Sequence, residues 1–404
     1  MGPIPPEFAG GGALTIAGQG FEHWIEAAGS TPAYVHDMTV VSARIARLRA
    51  ALPAQVDIHY AMKANPLPAL LARIAPLVNG LDVASAGELA KALAAKDPRH
   101  ISFAGPGKRD IELEAAIRAR ATLNLESEGE ATRAIAIGDR LGERPRLAVR
   151  VNPDFELKGS GMKMGGRPSP FGVDVERVPA LVARIVSSGA EWRGFHLFAG
   201  SQSLDTMAII ETQAATIDLA ARLAQDAGVE PPLVNLGGGF GIPYFAGDEP
   251  VDVEAIGASL GEALVRRSGV LSGSGFAVEL GRWLIGEAGI YLARVVDRKE
   301  SGGEVFLVVD GGLNHHLAAT GNFGTVVRRN YPVAVAGRIG AAVEEVVSVV
   351  GPLCTPLDRL ADRVALPRAE VGDVIAVFAS GAYGASASPA AFLGHPPVME
   401  VVAG

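Results

Sequence analysis

From about residue 38 the chain alternates apolar β-type runs with helical stretches, and this rhythm constrains the fold more than any other feature. Strand candidates fall at residues 56–64, 80–85, 100–105, 122–127, 146–152, 191–199, 232–237 and 276–281. Helical patterns lie between them at 86–95, 109–119, 128–141, 174–187, 205–227 and 253–267, with another at 39–51 ahead of the first strand. Eight βα units in roughly 240 residues have the size and rhythm of a closed parallel (β/α)8 TIM barrel. A doubly wound open sheet is the alternative, but no GxGxxG follows the first strand. After Arg282 the pattern changes to short β-type runs at 290–296, 305–309, 344–350, 374–378 and 397–402, separated by Gly and Pro turns. The expected organisation is a barrel over 37–277 and a β-sandwich or β-barrel domain built from 1–36 and 278–404, with 13–16 and 33–36 as strands joining it.

Composition narrows the function classes. A net charge of −8 argues against a general nucleic-acid or anionic-membrane binder. No apolar run approaches the roughly 18–20 residues of a membrane span. The N-terminal MGPIPPEFAGGG has no basic cluster followed by an apolar stretch, as a secretory leader would. The single cysteine, Cys354, excludes an intrachain disulfide and a cysteine zinc site. A soluble cytoplasmic enzyme is the expectation. Only seven of the 36 basic residues are lysine, so a lysine within an apolar strand is conspicuous.

In a βα barrel the chemistry sits at the C-terminal ends of the strands. Those ends carry Lys63, Asp82 with Ser85, Glu126, Arg150, His196 with Ser201, Gly237 to Gly239, and Glu279 with Arg282. Desolvation of Lys63 in its apolar-aromatic strand would lower its pKa and leave an amine able to form a Schiff base. An interior lysine paired with Asp82 or Glu88 is an equal reading. The glycine run offers bare N–H groups to an anion, or is simply a tight turn. Arg282 suits a phosphate or a surface ion pair. Glu279 could meet a protonated ring nitrogen or serve as partner to Arg282. Taken together, these residues describe a pyridoxal 5′-phosphate site. His315 and His316 are adjacent and on a strand would face opposite ways, so no metal is expected.

The motifs YAMKAN (60–65), DVASAGEL (82–89), RVNP (150–153), AGSQ (199–202), GGGFG (237–241), ELGR (279–282), GPLCTPLD (351–358) and SGAYGAS (380–386) occur in order along the chain. In this the chain resembles the fold-type III pyridoxal-phosphate decarboxylases, the diaminopimelate, ornithine and arginine decarboxylase family, whose architecture is alanine racemase-like. MKMGG (162–166), HLFAGSQ (196–202), DGGLNHHLAATGNFG (310–324) and RRNYP (328–332) resemble the subgroup associated with exosortase A systems. The resemblance implies that Lys63 carries the cofactor as a Schiff base. Ser201, Gly237, Gly238, Gly239, Gly281, Arg282 and Tyr383 would hold its phosphate, and Glu279 its ring nitrogen. Asp82, Arg150, His196 and Phe198 would complete the cofactor pocket. Cys354 of the partner subunit would protonate the carbon that loses CO2, in a homodimer with shared active sites; a small buried hydrophobe is the plainer fate of a lone cysteine. Substrate contacts would come from Arg282, His316, Thr355 and Tyr383.

Three departures from the family pattern bear on substrate. Thr355 follows the cysteine where family members that read a distal ammonium place an acidic residue. Phe198 stands where the family has a ring-stacking histidine, with His196 two residues earlier; Phe can stack but cannot hydrogen-bond. The segment NHHLAATGNFG has no arginine before Arg328, where diaminopimelate enzymes place a substrate arginine. The expected substrate is therefore another amino acid, free or attached to a carrier. Diaminopimelate decarboxylase proper, a racemase on the same cofactor, and a non-catalytic homologue are the alternatives. Retention of both Lys63 and Cys354 argues against the last.

Overall fold

The computed structural model describes the chain except residues 158–161, 164–167 and 322–328, with backbone alone at Met162 and Lys163. Most of MKMGG, the end of DGGLNHHLAATGNFG, and Arg328 thus lie outside the described residues. The chain divides into two compact units: Arg44–Gly241 with Pro250–Gly281, and Met1–Ala43 with Ile242–Glu249 and Arg282–Gly404.

The first unit is a closed barrel. Its strands are β1 (Val56–Ala61), β2 (Gly80–Val83), β3 (Ile101–Phe103), β4 (Thr122–Leu125), β5 (Arg146–Asn152), β6 (Glu191–Leu197), β7 (Leu233–Asn235) and β8 (Gly275–Leu280). Each pairs in parallel with the next, and β8 pairs with β1 to close the ring. Two of the βα loops are set by a repeated Ser-x-x-Glu pattern. Ser85 and Ser127 accept the N–H of Glu88 and Glu130 at 3.1 Å, while those glutamates accept the N–H of Ala84 (2.7 Å) and Glu126 (2.8 Å). Each serine cap contributes about 1 kcal/mol. Together these bonds fix the chain at the ends of β2 and β4, next to Asp82 within β2 and Glu126 just beyond β4. The barrel interior is more polar than the branched aliphatic filling usual for this fold: His59, Asn124, Arg146 and Asn235 are all buried.

The expected first strand is shorter than its apolar pattern. It ends at Ala61, and Met62–Ala64 form a 3-10 turn. The cause is local: the Tyr60 hydroxyl donates to the Asn65 carbonyl (2.9 Å), and the Asn65 side chain accepts the N–H of Leu67 (3.1 Å). Lys63 is carried on this turn and not within a strand.

The second unit holds an eight-stranded sheet. Its spine is the 13-residue strand Gly289–Ser301, which pairs with Ala33–Asp37, Val374–Val377 and Glu304–Val309. Met399–Ala403 adds to Ala33–Asp37 in parallel. Glu345–Val350 and Arg359–Leu366 extend the sheet beyond Glu304–Val309. The segment 13–16 does not join it: Thr15–Ile16 pairs with Gln19–Gly20 in its own hairpin.

Candidate active site

Four expected residues meet at the C-terminal end of the barrel. Lys63 Nζ lies 3.8 Å from Glu279 Oε1 and 5.0 Å from the centre of the Phe198 ring. His196 Nε2 bonds the other Glu279 oxygen at 2.8 Å. Burial alone would raise the Glu279 pKa. The His196 hydrogen bond and the Lys63 charge outweigh burial and hold the carboxyl well below its ordinary range. The site therefore keeps a buried, ionised carboxylate. The lysine differs from its expectation: its side chain is 44 % exposed, so its surroundings do not desolvate it, and its ionic neighbour is Glu279. Asp82 instead pairs with His59 Nδ1 at 3.3 Å, and Glu88 is occupied at the Ala84 N–H.

The glycine run packs against the backbone of Glu279. Gly237 and Gly239 have φ of 69° and 89°, which favours glycine. A Cβ on Gly238 would sit 1.9 Å from the Glu279 carbonyl, and one on Gly239 would sit 2.5 Å from the Gly200 carbonyl. Among the described residues, no hydrogen bond ends on the N–H of Gly238 or Gly239. A turn that side chains would block, with unpaired donors, fits an anion such as a phosphate. Gly281 is required for a different reason: a Cβ there would meet the Ala61 carbonyl and Ala64 at 2.8 Å, so it keeps the end of β8 close to the Lys63 turn. Ser201 pairs through its backbone with Met162. Arg150 is buried and donates to Glu126 at 3.0 Å, while Glu126 also accepts the N–H of Gly105 (2.5 Å) and Gly172 (3.1 Å).

The second unit brings Arg282 and Tyr383 together. The Arg282 guanidinium lies 4.6 Å from the Tyr383 ring centre and 5.4 Å from that of Tyr244, and donates to the Tyr244 hydroxyl at 2.7 Å. Tyr244 packs at a tilt of 36° on Tyr331 (4.6 Å), which meets His316 edge-on (5.6 Å). Neither Tyr244 nor Tyr331 was among the expected site residues, although RRNYP contains the latter. Arg282 Nε is buried without a partner, so the group still has a donor to give. His316 corrects an expectation. It is fully buried, its Nδ1 accepts the Ala319 N–H and its Nε2 donates to Ser380. Burial pushes its pKa down to about 3. A neutral ring so enclosed supports the tyrosine stack and has no face for a substrate.

Cys354 is exposed, on the loop between Glu345–Val350 and Arg359–Leu366. Asp358 organises that loop: its carboxylate accepts the N–H of Leu353 (2.8 Å) and of Leu313 (2.6 Å). Glycines 312 and 351 leave room for it, since a Cβ at either would lie within 2.3 Å of its oxygens. Asp358 lies inside GPLCTPLD, but only the fold shows that it ties the cysteine loop to the 311–313 turn. Thr355 lines a cavity of about 370 Å³ whose wall includes Lys299 and Arg359.

An open lysine amine, an ionised carboxylate beside it and an anion-ready glycine turn suit an aldehyde cofactor that bears a phosphate and a basic ring nitrogen. Comparison with known proteins gives the same class. Residues 38–286 match the family described as pyridoxal-dependent decarboxylase, pyridoxal binding domain. The chain is 36% identical, over 92% of its length and 88% of the relative's, to L-glutamyl-[BtrI acyl-carrier protein] decarboxylase of Niallia circulans. It is 33% identical to diaminopimelate decarboxylase of Archaeoglobus fulgidus, over 97% and 92% of the two chains. The structure of diaminopimelate decarboxylase from M. jannaschii in co-complex with L-lysine superposes with a TM-score of 0.87 at 26% identity, covering all of this chain and 93% of the other. The chain belongs to the pyridoxal-dependent decarboxylase family, carboxy-lyases that use pyridoxal 5′-phosphate. No helix among the described residues is long and apolar enough to cross a membrane.

Proposed function

We propose that the chain decarboxylates an amino-acid-type substrate, free or carrier-bound, whose distal end is not a free ammonium. The observation that carries this reading is the surface next to Cys354. Thr355 supplies no charge, Lys299 and Arg359 line the same cavity, and the carboxylate in its wall, Asp358, is engaged by the N–H groups of Leu313 and Leu353, so an ammonium there would meet like charge and a carboxylate already committed to the backbone. An acyl-carrier substrate is named for the Niallia circulans relative, and the motifs shared with the exosortase A-associated subgroup support a specialised pathway. Diaminopimelate decarboxylase proper is the second reading, favoured by the Archaeoglobus relative.

Bound pyridoxal phosphate supplies an electron sink for the bond to the departing carboxyl group. Lys63 is the attachment point, and its exposure leaves the amine reachable. Glu279, kept ionised by His196 and Lys63, holds a proton on the ring nitrogen. Phe198, whose ring centre lies 5.0 Å from Lys63 Nζ, would offer a face for the cofactor ring to stack on. Gly237, Gly238, Gly239, Ser201, Arg282 and Tyr383 hold the phosphate; Asp82 and Arg150 set neighbouring side chains. Arg282, Thr355 and Tyr383 also meet the substrate. Cys354 of the partner subunit donates a proton from Sγ to the carbon that has lost CO2. Its exposure on a loop supports such a role in a homodimer, and an unpaired thiol suits the reducing cytoplasm.

The test is a screen of CO2 release from free and carrier-bound amino acids by the loaded enzyme. The reading expects turnover of a substrate lacking a distal ammonium. Turnover of free diaminopimelate or ornithine at rates normal for the family would overturn it, and substrate inversion without CO2 would identify a racemase.

A further inference from the structure

The barrel contains a second cavity, at the end away from Lys63. Its volume is about 470 Å³, and its lining includes Asp57 and His59 of β1, Arg146 of β5, Arg193 of β6 and Asn235 of β7. On β1, β4, β5 and β7 the lining positions are two residues apart (57 and 59, 122 and 124, 146 and 148, 233 and 235) and share the inward face, while Arg193 joins them from the bulge between Trp192 and Gly194 of β6. Most lie near the starts of their strands, whereas Lys63 and Glu279 lie at or beyond strand ends.

The cations there outnumber their partners. Arg146 Nε and Arg193 Nη1 both donate to one oxygen of Glu191, each at 3.2 Å, and Arg120 approaches the other oxygen at 3.9 Å. Three guanidinium groups thus share one carboxylate. Arg146 Nη1 is taken up by the carbonyls of Arg99 and Arg120. Among the described residues, Nη2 of Arg146 and of Arg193 has no hydrogen-bond partner, and the buried Nε of Arg193 has none. The other charges on the wall change this little. Arg99 is committed to Asp97, and His59 to Asp82. Asp57 is the opposing carboxylate and offsets part of the surplus.

We propose that this cavity binds a small phosphate-type oxyanion between Arg146 and Arg193. Guanidinium forks match such oxygens in paired hydrogen bonds. An anion would satisfy the unpaired donors and offset the burial and the neighbouring Arg193 charge that disfavour the charged form of Arg146. The volume far exceeds the ~30 Å³ share of one water, so the anion enters with part of its hydration. The site is independent of the cofactor pocket and of the substrate reading.

Calorimetric titration of inorganic phosphate into the pyridoxal-phosphate-loaded enzyme tests this, because the cofactor's own phosphate seat is then filled. A saturable site is expected, weakened about tenfold or more in Arg193→Gln and tightened about threefold in Asp57→Asn. Arg193 is partly exposed, so the variant should fold, and Arg193→Lys should recover part of the affinity. Decarboxylation by Arg193→Gln without phosphate should be unchanged. Absence of saturable binding, or equal affinity in wild type, Arg193→Gln and Asp57→Asn, would overturn the proposal. If Arg193→Gln fails to fold, the Asp57→Asn comparison decides alone.

Discussion

At the mouth of the barrel, the exposed Lys63 is held by the buried charge of Glu279: the two oxygens of Glu279 divide between His196 and Lys63, and a backbone turn that admits only glycine closes on the Glu279 backbone carbonyl. Cys354 is held in another way. It stands exposed on a loop fixed by one carboxylate, Asp358, through two backbone N–H groups. Cofactor chemistry needs charges that stay put, and a low-dielectric wall with several partners provides that. A proton donor that serves a second subunit, the role proposed for Cys354, would instead have to project from its own, with its position set by a few backbone bonds.

Substitutions on the two sides should therefore fail differently. Lys63→Ala should remove both activity and the cofactor's absorbance band, the largest effect. Cys354→Ala should leave that band in place and slow product formation by about 10²–10⁴-fold, the range for a positioned proton donor; equal loss of the band would erase the division between the regions. Glu279→Gln should lower kcat/KM by about 10–100-fold, in line with ~1–3 kcal/mol for a lost charged hydrogen bond. It should also change the acid stability of the cofactor-free protein. The folded pKa of Glu279 is depressed, so its contribution is present above the unfolded carboxyl pKa of about 4.3 and lost as pH falls below it. Denaturation of wild type and Glu279→Gln should thus differ most above about pH 5 and converge in acid.

Asp358→Asn replaces one acceptor with a donor facing a backbone N–H. It should cost about 1–3 kcal/mol of stability and change the rate at which Cys354 is alkylated, with the cofactor band intact. An unchanged alkylation rate would remove Asp358 from the positioning of the cysteine. Smallest is Thr355→Glu, expected to raise turnover of ammonium-bearing substrates relative to wild type by about tenfold, a difference of ~1.4 kcal/mol.

What could be read from sequence followed the distance over which each interaction acts. The βα rhythm and the glycine turn are local or periodic, and the expectation of a barrel rests on the rhythm. The 3-10 turn under Lys63 is nearly as local, yet the apolar run through Met62 hid it. Burial of His316 depends on Ser380, Tyr331 and Tyr34, which are distant in sequence. The same holds for Asp358, whose partner Leu313 lies 45 residues away, and for the Glu279 to Lys63 contact. The sequence places 13–16 in the large sheet because a β-type pattern does not name its partner; the pairing of Thr15–Ile16 to Gln19–Gly20 is set by an Ala17-Gly18 turn, both residues at positive φ.

The most direct measurement counts amine product against CO2 released, in wild type and in Cys354→Ala, with a substrate found by the screen. One amine per CO2 is expected in the wild type, and a ratio below one in the variant, with the shortfall recovered as a carbonyl product and aminated cofactor, because without Cys354 the electron pair left by CO2 would more often take its proton at the cofactor than at the substrate carbon. An unchanged ratio and an unchanged rate in Cys354→Ala would contradict the account.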